Sequence, residues 1–247
     1  MKILITSGNS GLSVELARSL SAEHEVTLTD PNQVSGLPSD VEYRQSNLDY
    51  GDDLKALMND VGVVIHRGLV DVDSSVSEQL DQAMRHTYNL LWAASESNVS
   101  RFVFLSSLSV LDQYEESMTV TESWRPTPTT EPVILGYHLG EFICREFARE
   151  AKIQVICLRL GPLSAVSFER PSTSTLYMRD AIQAIEGAVS VDIGLDGVAT
   201  RHAGVPAPRS MWNIYHIQSK VPDARYSVAA ARSDLGYTGG PQAGLTQ

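Results

Sequence analysis

Lys2-Ile3-Leu4-Ile5-Thr6-Ser7-Gly8-Asn9-Ser10-Gly11-Leu12-Ser13 decides the fold of this chain. Four residues with apolar bodies make a short buried strand. A turn of small residues follows, and the apolar spacing then changes to that of a helix. Such a strand–turn–helix is where a dinucleotide fingerprint belongs. Its glycines allow a tight turn, close approach of backbone to a pyrophosphate, and close helix–strand packing. Measured against T-G-x-x-G-x-x-G, the three glycine positions are Ser7, Ser10 and Ser13. Against T-G-x-x-x-G-x-G only Gly11 is retained. Gly8 and Gly11 still permit a tight loop, and the N–H groups of a helix opening at Leu12 can still meet an anion. Ser7, Gly8, Ser10, Gly11 and Leu12 are therefore candidate cofactor-binding residues, with an ordinary ligand-free turn as the alternative.

Outward from this stretch, apolar runs suited to strands recur at 2–6, 25–29, 41–44, 62–66, 101–106 and 154–159. Helical patterns lie between them at 12–21, 52–59, 77–97 and 133–151. Short apolar strands alternating with helices predict a parallel sheet covered on both faces. The expected fold is α/β, a Rossmann-type doubly wound parallel sheet in one domain spanning 1–247. Its ligand site should lie at the carboxyl ends of the strands. Residues 162–247 are expected to add a small substrate-side subdomain, with helices near 176–187 and 228–235, a glycine-rich stretch at 194–204 and a frayed end. The irregular segment 112–132 carries Pro126, Pro128 and Pro132, and loops of that length are usually functional.

The 247 residues carry a net charge of −11, which argues against a nucleic-acid surface. No apolar run approaches the length of a membrane span, and the first residues do not resemble a signal segment. Cys144 and Cys157 have no metal-ligand spacing and suit buried thiols of a cytoplasmic protein.

Asp30 ends the second strand about twenty residues beyond the glycine loop, where a carboxylate accepts from an adenosine ribose and repels a 2′-phosphate. It favours NAD over NADP; a turn aspartate before Pro31 is the plainer alternative. Asn47 and Leu48 after the third strand, and Arg67 and Gly68 ending the fourth, fall where the adenine and the ribose–pyrophosphate would lie. Arg67 is suited to a phosphate or to a carboxylate such as Glu141, and His66 reads as a satisfied strand-end histidine. Ser107, at the end of Phe104-Leu105-Ser106-Ser107, could bond a substrate oxygen beside Tyr137. Four residues after Tyr137, one helical turn away, stands Glu141.

Together these residues resemble the short-chain dehydrogenase/reductase superfamily, in its extended or atypical branch of epimerases, dehydratases and uronate-type dehydrogenases. The resemblance runs through Thr6–Ser13, Asp30, Val64–His66, Thr87–Leu91, Arg101–Ser107, Tyr137, Leu158–Pro162, Arg179-Asp180 and Ala231–Tyr237. It implies NAD as cofactor and a catalytic group of Ser, Tyr and Lys, whose positions here hold Ser107, Tyr137 and Glu141. In the family the lysine lowers the phenol's pKa and holds the nicotinamide ribose. A carboxylate would raise that pKa, so Glu141→Lys is expected to restore chemistry. Two readings remain. One is an NAD-binding sensor with impaired or absent redox catalysis. The other is an active oxidoreductase or epimerase on a small sugar or uronate, in which Glu141 accepts from the ribose diol. The apolar arc of the helix at 77–97, which includes Met84, Tyr88 and Trp92, is wider than packing on a sheet requires. With the resemblance, it predicts a homodimer through this helix and the one carrying Tyr137.

Overall fold

The computed structural model describes residues 1–68, 73–164, 172–192 and 211–240. Strand β1 (Lys2–Ile5) leads into helix α1 (Gly11–Leu20), then β2 (Glu25–Asp30) and β3 (Val41–Gln45). Helix α2 (Asp52–Leu57) precedes β4 (Val61–Arg67), and α3 (Val76–Glu96) precedes β5 (Arg101–Ser107). A 3₁₀ turn at Leu108–Leu111 follows, then α4 (Pro132–Arg149) and β6 (Gln154–Leu160). The two-residue strands β7 (Leu163–Ser164) and β8 (Leu176–Tyr177) pair with each other. Helix α5 (Met178–Ser190), strand β9 (Trp212–Ile217) and helix α6 (Ala229–Leu235) complete the described elements.

The main sheet has seven strands in the order β3-β2-β1-β4-β5-β6-β9, and all six pairings are parallel. The strand order reverses between β1 and β4, and a crevice opens at that reversal in sheets of this kind. Alternation along the strands divides the core. Ile3 and Ile5 join α1, α5 and α6 on one face, while Leu4 and Val64 join α2, α3 and α4 on the other. The doubly wound α/β expectation therefore holds.

Residues 212–217, for which the sequence predicts no strand, pair in parallel with β6 as the edge strand β9. Among the described residues after Pro162, β9 joins the main sheet, and α5 and α6 pack into its core. The glycine-rich stretch at 194–204 lies outside the described residues. Among the described residues no helix is long and apolar enough to cross a membrane.

Candidate cofactor cleft and active site

The turn after β1 keeps a glycine-type backbone while carrying serines. Ser7 has φ +54°, in the left-handed region that favours glycine. Its hydroxyl donates to the carbonyl of Arg67 at 3.2 Å. Ser10 caps α1 by accepting from the N–H of Ser13 at 3.1 Å, and the Ser13 hydroxyl donates to the Thr6 carbonyl at 3.1 Å. The serines at all three fingerprint positions thus bind the turn to itself and to β4. Gly8 sits close to its neighbours: a Cβ there would lie 3.0 Å from Val34 Cγ2 and 3.3 Å from the Thr29 carbonyl. Gly11 opens the helix with free space around it, whereas the Leu12 side chain is buried in the core and only its backbone could face a ligand.

This turn walls a cleft of about 690 Å³ at the β1/β4 switch point, also lined by Asp30, Asn47, Leu48, His66 and Arg67. Asp30 is 8% exposed and accepts from the Asn9 N–H at 3.1 Å, the Asn9 amide at 3.0 Å and the Asn32 N–H at 2.9 Å. A carboxylate has about four acceptor sites, so these bonds orient it and still leave capacity for a ribose hydroxyl. Asn9 was not among the expected binding residues. Gln82, Arg85 and His86 of α3 were also missed, although their i, i+3, i+4 spacing puts them on one helix face toward the cleft. Arg85 is held by ion pairs to Asp49 and Asp81.

Below the cleft, His66 is buried in a hydrogen-bond chain that fixes its tautomer. Thr87 donates to the Ala83 carbonyl at 2.7 Å, so its oxygen accepts from His66 Nε2 at 3.0 Å. Nδ1 then accepts from Thr6 Oγ1 at 2.8 Å, and that oxygen takes the Arg67 N–H at 3.3 Å. Burial lowers the imidazole pKa to about 3, so His66 is a neutral structural relay.

Tyr137 is 8% exposed and clusters with Leu108, Val110, Leu111 and Tyr226. It lies at the mouth of β4, where a Cβ on Gly68 would come within 4.0 Å of its ring. The Arg67 guanidinium is near enough to act on its phenol. Burial raises the phenol's pKa, and the Arg67 charge opposes the rise. Ser107 caps the 3₁₀ turn, its oxygen accepting from the Ser109 N–H at 3.2 Å and the Ser109 hydroxyl at 2.7 Å.

Glu141 has a different setting from the expected one. It is 5% exposed and forms a two-point ion pair with Arg159, Nε donating at 2.8 Å and Nη2 at 2.7 Å. The Ser106 hydroxyl donates to the same carboxylate at 2.6 Å. It neither pairs with Arg67 nor lines the cofactor cleft, and burial rather than Glu141 is what raises the Tyr137 pKa. Glu141, expected to hold the cofactor, is thus engaged by Arg159 and Ser106. The overlooked signal was Arg159, a lone charge inside the apolar run of β6, which a buried site obliges to find a partner.

A family model described as the NAD dependent epimerase/dehydratase family matches residues 4–202. The chain belongs to this family. Uncharacterized protein YtbQ of Bacillus subtilis (strain 168) is 24% identical over 253 residues, covering 96% of this chain and 93% of that protein. Among solved structures, a mutated uronate dehydrogenase superposes with a TM-score of 0.77 at 19% identity, over 96% of this chain and 80% of the other. A UDP-glucuronic acid 4-epimerase from Bacillus cereus in complex with NAD gives 0.74 at 16% identity, over 96% and 93%. At such identities these likenesses establish the fold, and the family match carries the NAD-dependent class.

Proposed function

We propose that this family member binds NAD through a working adenosine half-site and lacks the tyrosine–lysine proton relay, so that it acts as a binding or sensing protein. The adenosine side supports this: a left-handed turn at Ser7, a Gly8 closely approached by its neighbours, and an Asp30 carboxylate fixed in the cleft. These residues fit the ribose and pyrophosphate of a dinucleotide. When bound, NAD would supply hydride acceptance.

The single observation that carries the silent reading is the commitment of Glu141 to Arg159. With Glu141 so engaged, Tyr137 is the α4 side chain that meets the residue following β4, its ring 4.0 Å from where a Cβ on Gly68 would stand. The position of a ribose-holding lysine is then taken by the tyrosine itself. One turn earlier, where the proton-transferring phenol would stand, is Val133, packed beside Leu108 and Val110. Calorimetric titration with NAD and NADP, alongside turnover assays on uronates and nucleotide sugars, tests the reading. It expects NAD binding without hydride transfer, and robust turnover would overturn it.

Arg67 favours a second reading, an active oxidoreductase or epimerase. Its guanidinium near the Tyr137 phenol opposes the rise that burial imposes on that pKa, the direction in which a lysine would act, with Ser107 orienting the substrate oxygen. Activity that is lost in Tyr137→Phe and shifted to higher pH in Arg67→Gln would establish it.

We also propose a homodimer through α3 and α4, where Met84 and Tyr88 of α3 are 42% and 46% exposed.

A further inference from the structure

A second groove, of about 550 Å³, runs between α4, β9 and the segment carrying Pro126 and Pro128, and shares no lining residue with the cofactor cleft. Its cationic side chains are Arg125, Arg145 and Arg159. Arg159 is 3% exposed, and while Nε and Nη2 are taken by Glu141, Nη1 has no hydrogen-bond partner among the described residues. One further polar atom here is likewise buried and unpartnered, Nδ1 of His138, which lines the groove. Buried polar groups left unsatisfied are uncommon, and two along one groove mark a place where a polar ligand belongs.

The charge balance selects the ligand's sign. Glu141 is neutralised by Arg159, and a Glu122 oxygen accepts from the His216 N–H at 3.3 Å. Arg145 lies over the Phe142 ring, with its guanidinium carbon 5.2 Å from the centroid, and is 3.6 Å from a Glu146 carboxylate oxygen. The groove lining itself carries three guanidinium groups against the carboxylates of Glu122 and Glu141, while Glu146, outside the lining, is held more closely by Arg149 at 2.7 Å than by Arg145. Its apolar wall is formed by Phe142, Trp212 and Ile214.

We propose that this groove binds a small organic anion. The phosphate or carboxylate head meets Arg159 Nη1 and His138 with Arg125 and Arg145 at the rim, and an apolar body lies on Phe142 and Trp212. Charge-assisted bonds to guanidinium groups supply the specificity for an oxyanion.

Calorimetry with phenyl phosphate and with benzoate, at fixed ionic strength, tests this and distinguishes the two head groups. The wild type should bind at least one of them more tightly than it binds inorganic phosphate. The R125Q/R145Q double variant, which alters only exposed or half-buried rim residues and should fold, is expected to bind about tenfold more weakly. Circular dichroism checks its folding, and the single variants replace it if it fails. No binding of either probe beyond that of matched chloride overturns the proposal. So does unchanged affinity in folded rim variants.

Discussion

Glu141 and Arg159 meet through two parallel N–H···O bonds of 2.8 and 2.7 Å between α4 and β6, both side chains almost wholly enclosed. Breaking such a pair from one side leaves a buried charge unmatched, at a cost of about 3–5 kcal/mol. Glu141→Lys, which the sequence alone suggested as a repair, would instead set two cations together. The expected outcome is a drop of about 10 °C or more in melting temperature and no gain of activity. Thermal denaturation with a hydride-transfer assay checks both, and a stable, active variant would refute the assignment.

A better route to regained chemistry follows from the position of Tyr137. The double substitution Val133→Tyr with Tyr137→Lys writes Tyr-x-x-x-Lys one turn earlier and leaves Glu141 paired. It should yield measurable NAD reduction with a uronate or nucleotide sugar while the parent shows none. Failure of a folded, NAD-binding double variant to turn over would count against this register.

The legibility of the chain divides along the same line. The β1–α1 turn and Asp30 could be read directly, because strand, turn and carboxylate are close in sequence and each is required by local geometry. Glu141 could not. Four-residue spacing puts it on one helix face with Tyr137, but which neighbour engages it depends on Arg159 from β6, a long-range contact that sequence spacing does not encode. Strand β9 was missed for a similar reason, since Asn213 and His216 are accommodated at a sheet edge only after β6 is in place.

Cofactor preference rests on Asp30. NAD should bind at least about tenfold more tightly than NADP, because a 2′-phosphate would face a carboxylate already oriented by Asn9 and Asn32. Asp30→Ser should narrow the gap. Equal or tighter binding of NADP by the wild type would remove the assignment.

Acid should weaken the fold through two histidines. His66 and His216 each titrate at about 3 when folded, chiefly through burial, with Arg159 also acting on His216. Unfolded, they take up protons near pH 6.5, so the unfolded state binds more protons between these values. Stability is therefore fully present above about pH 6.5 and falls as pH drops toward 3. Denaturant titrations at pH 7.5, 6 and 4.5 should show a progressive loss that is shallower in His66→Asn. A flat profile would show that these imidazoles are not neutral inside the protein.

For the proposed dimer, Met84→Glu with Tyr88→Glu is the informative pair, because both side chains are exposed. Trp92 is only half-buried, with Lys152 over its ring and Tyr88 and Phe147 against it. Light scattering at tens of micromolar should give a dimer for the parent and a folded monomer for the variant. A monomeric parent would dispose of the idea.

Gly140 has no side chain where α4 crosses β5, and a Cβ there would fall 2.5 Å from Phe104 Cζ. That crossing works like the tooth of a ratchet. Sliding α4 by one residue would drive a side chain into the Phe104 ring and pull Glu141 off Arg159. The helix is thereby indexed against the sheet at two adjacent positions. On the silent reading proposed above, any return to proton-transfer chemistry, by selection or by design, must exchange side chains on a fixed rail, because the rail itself cannot be moved.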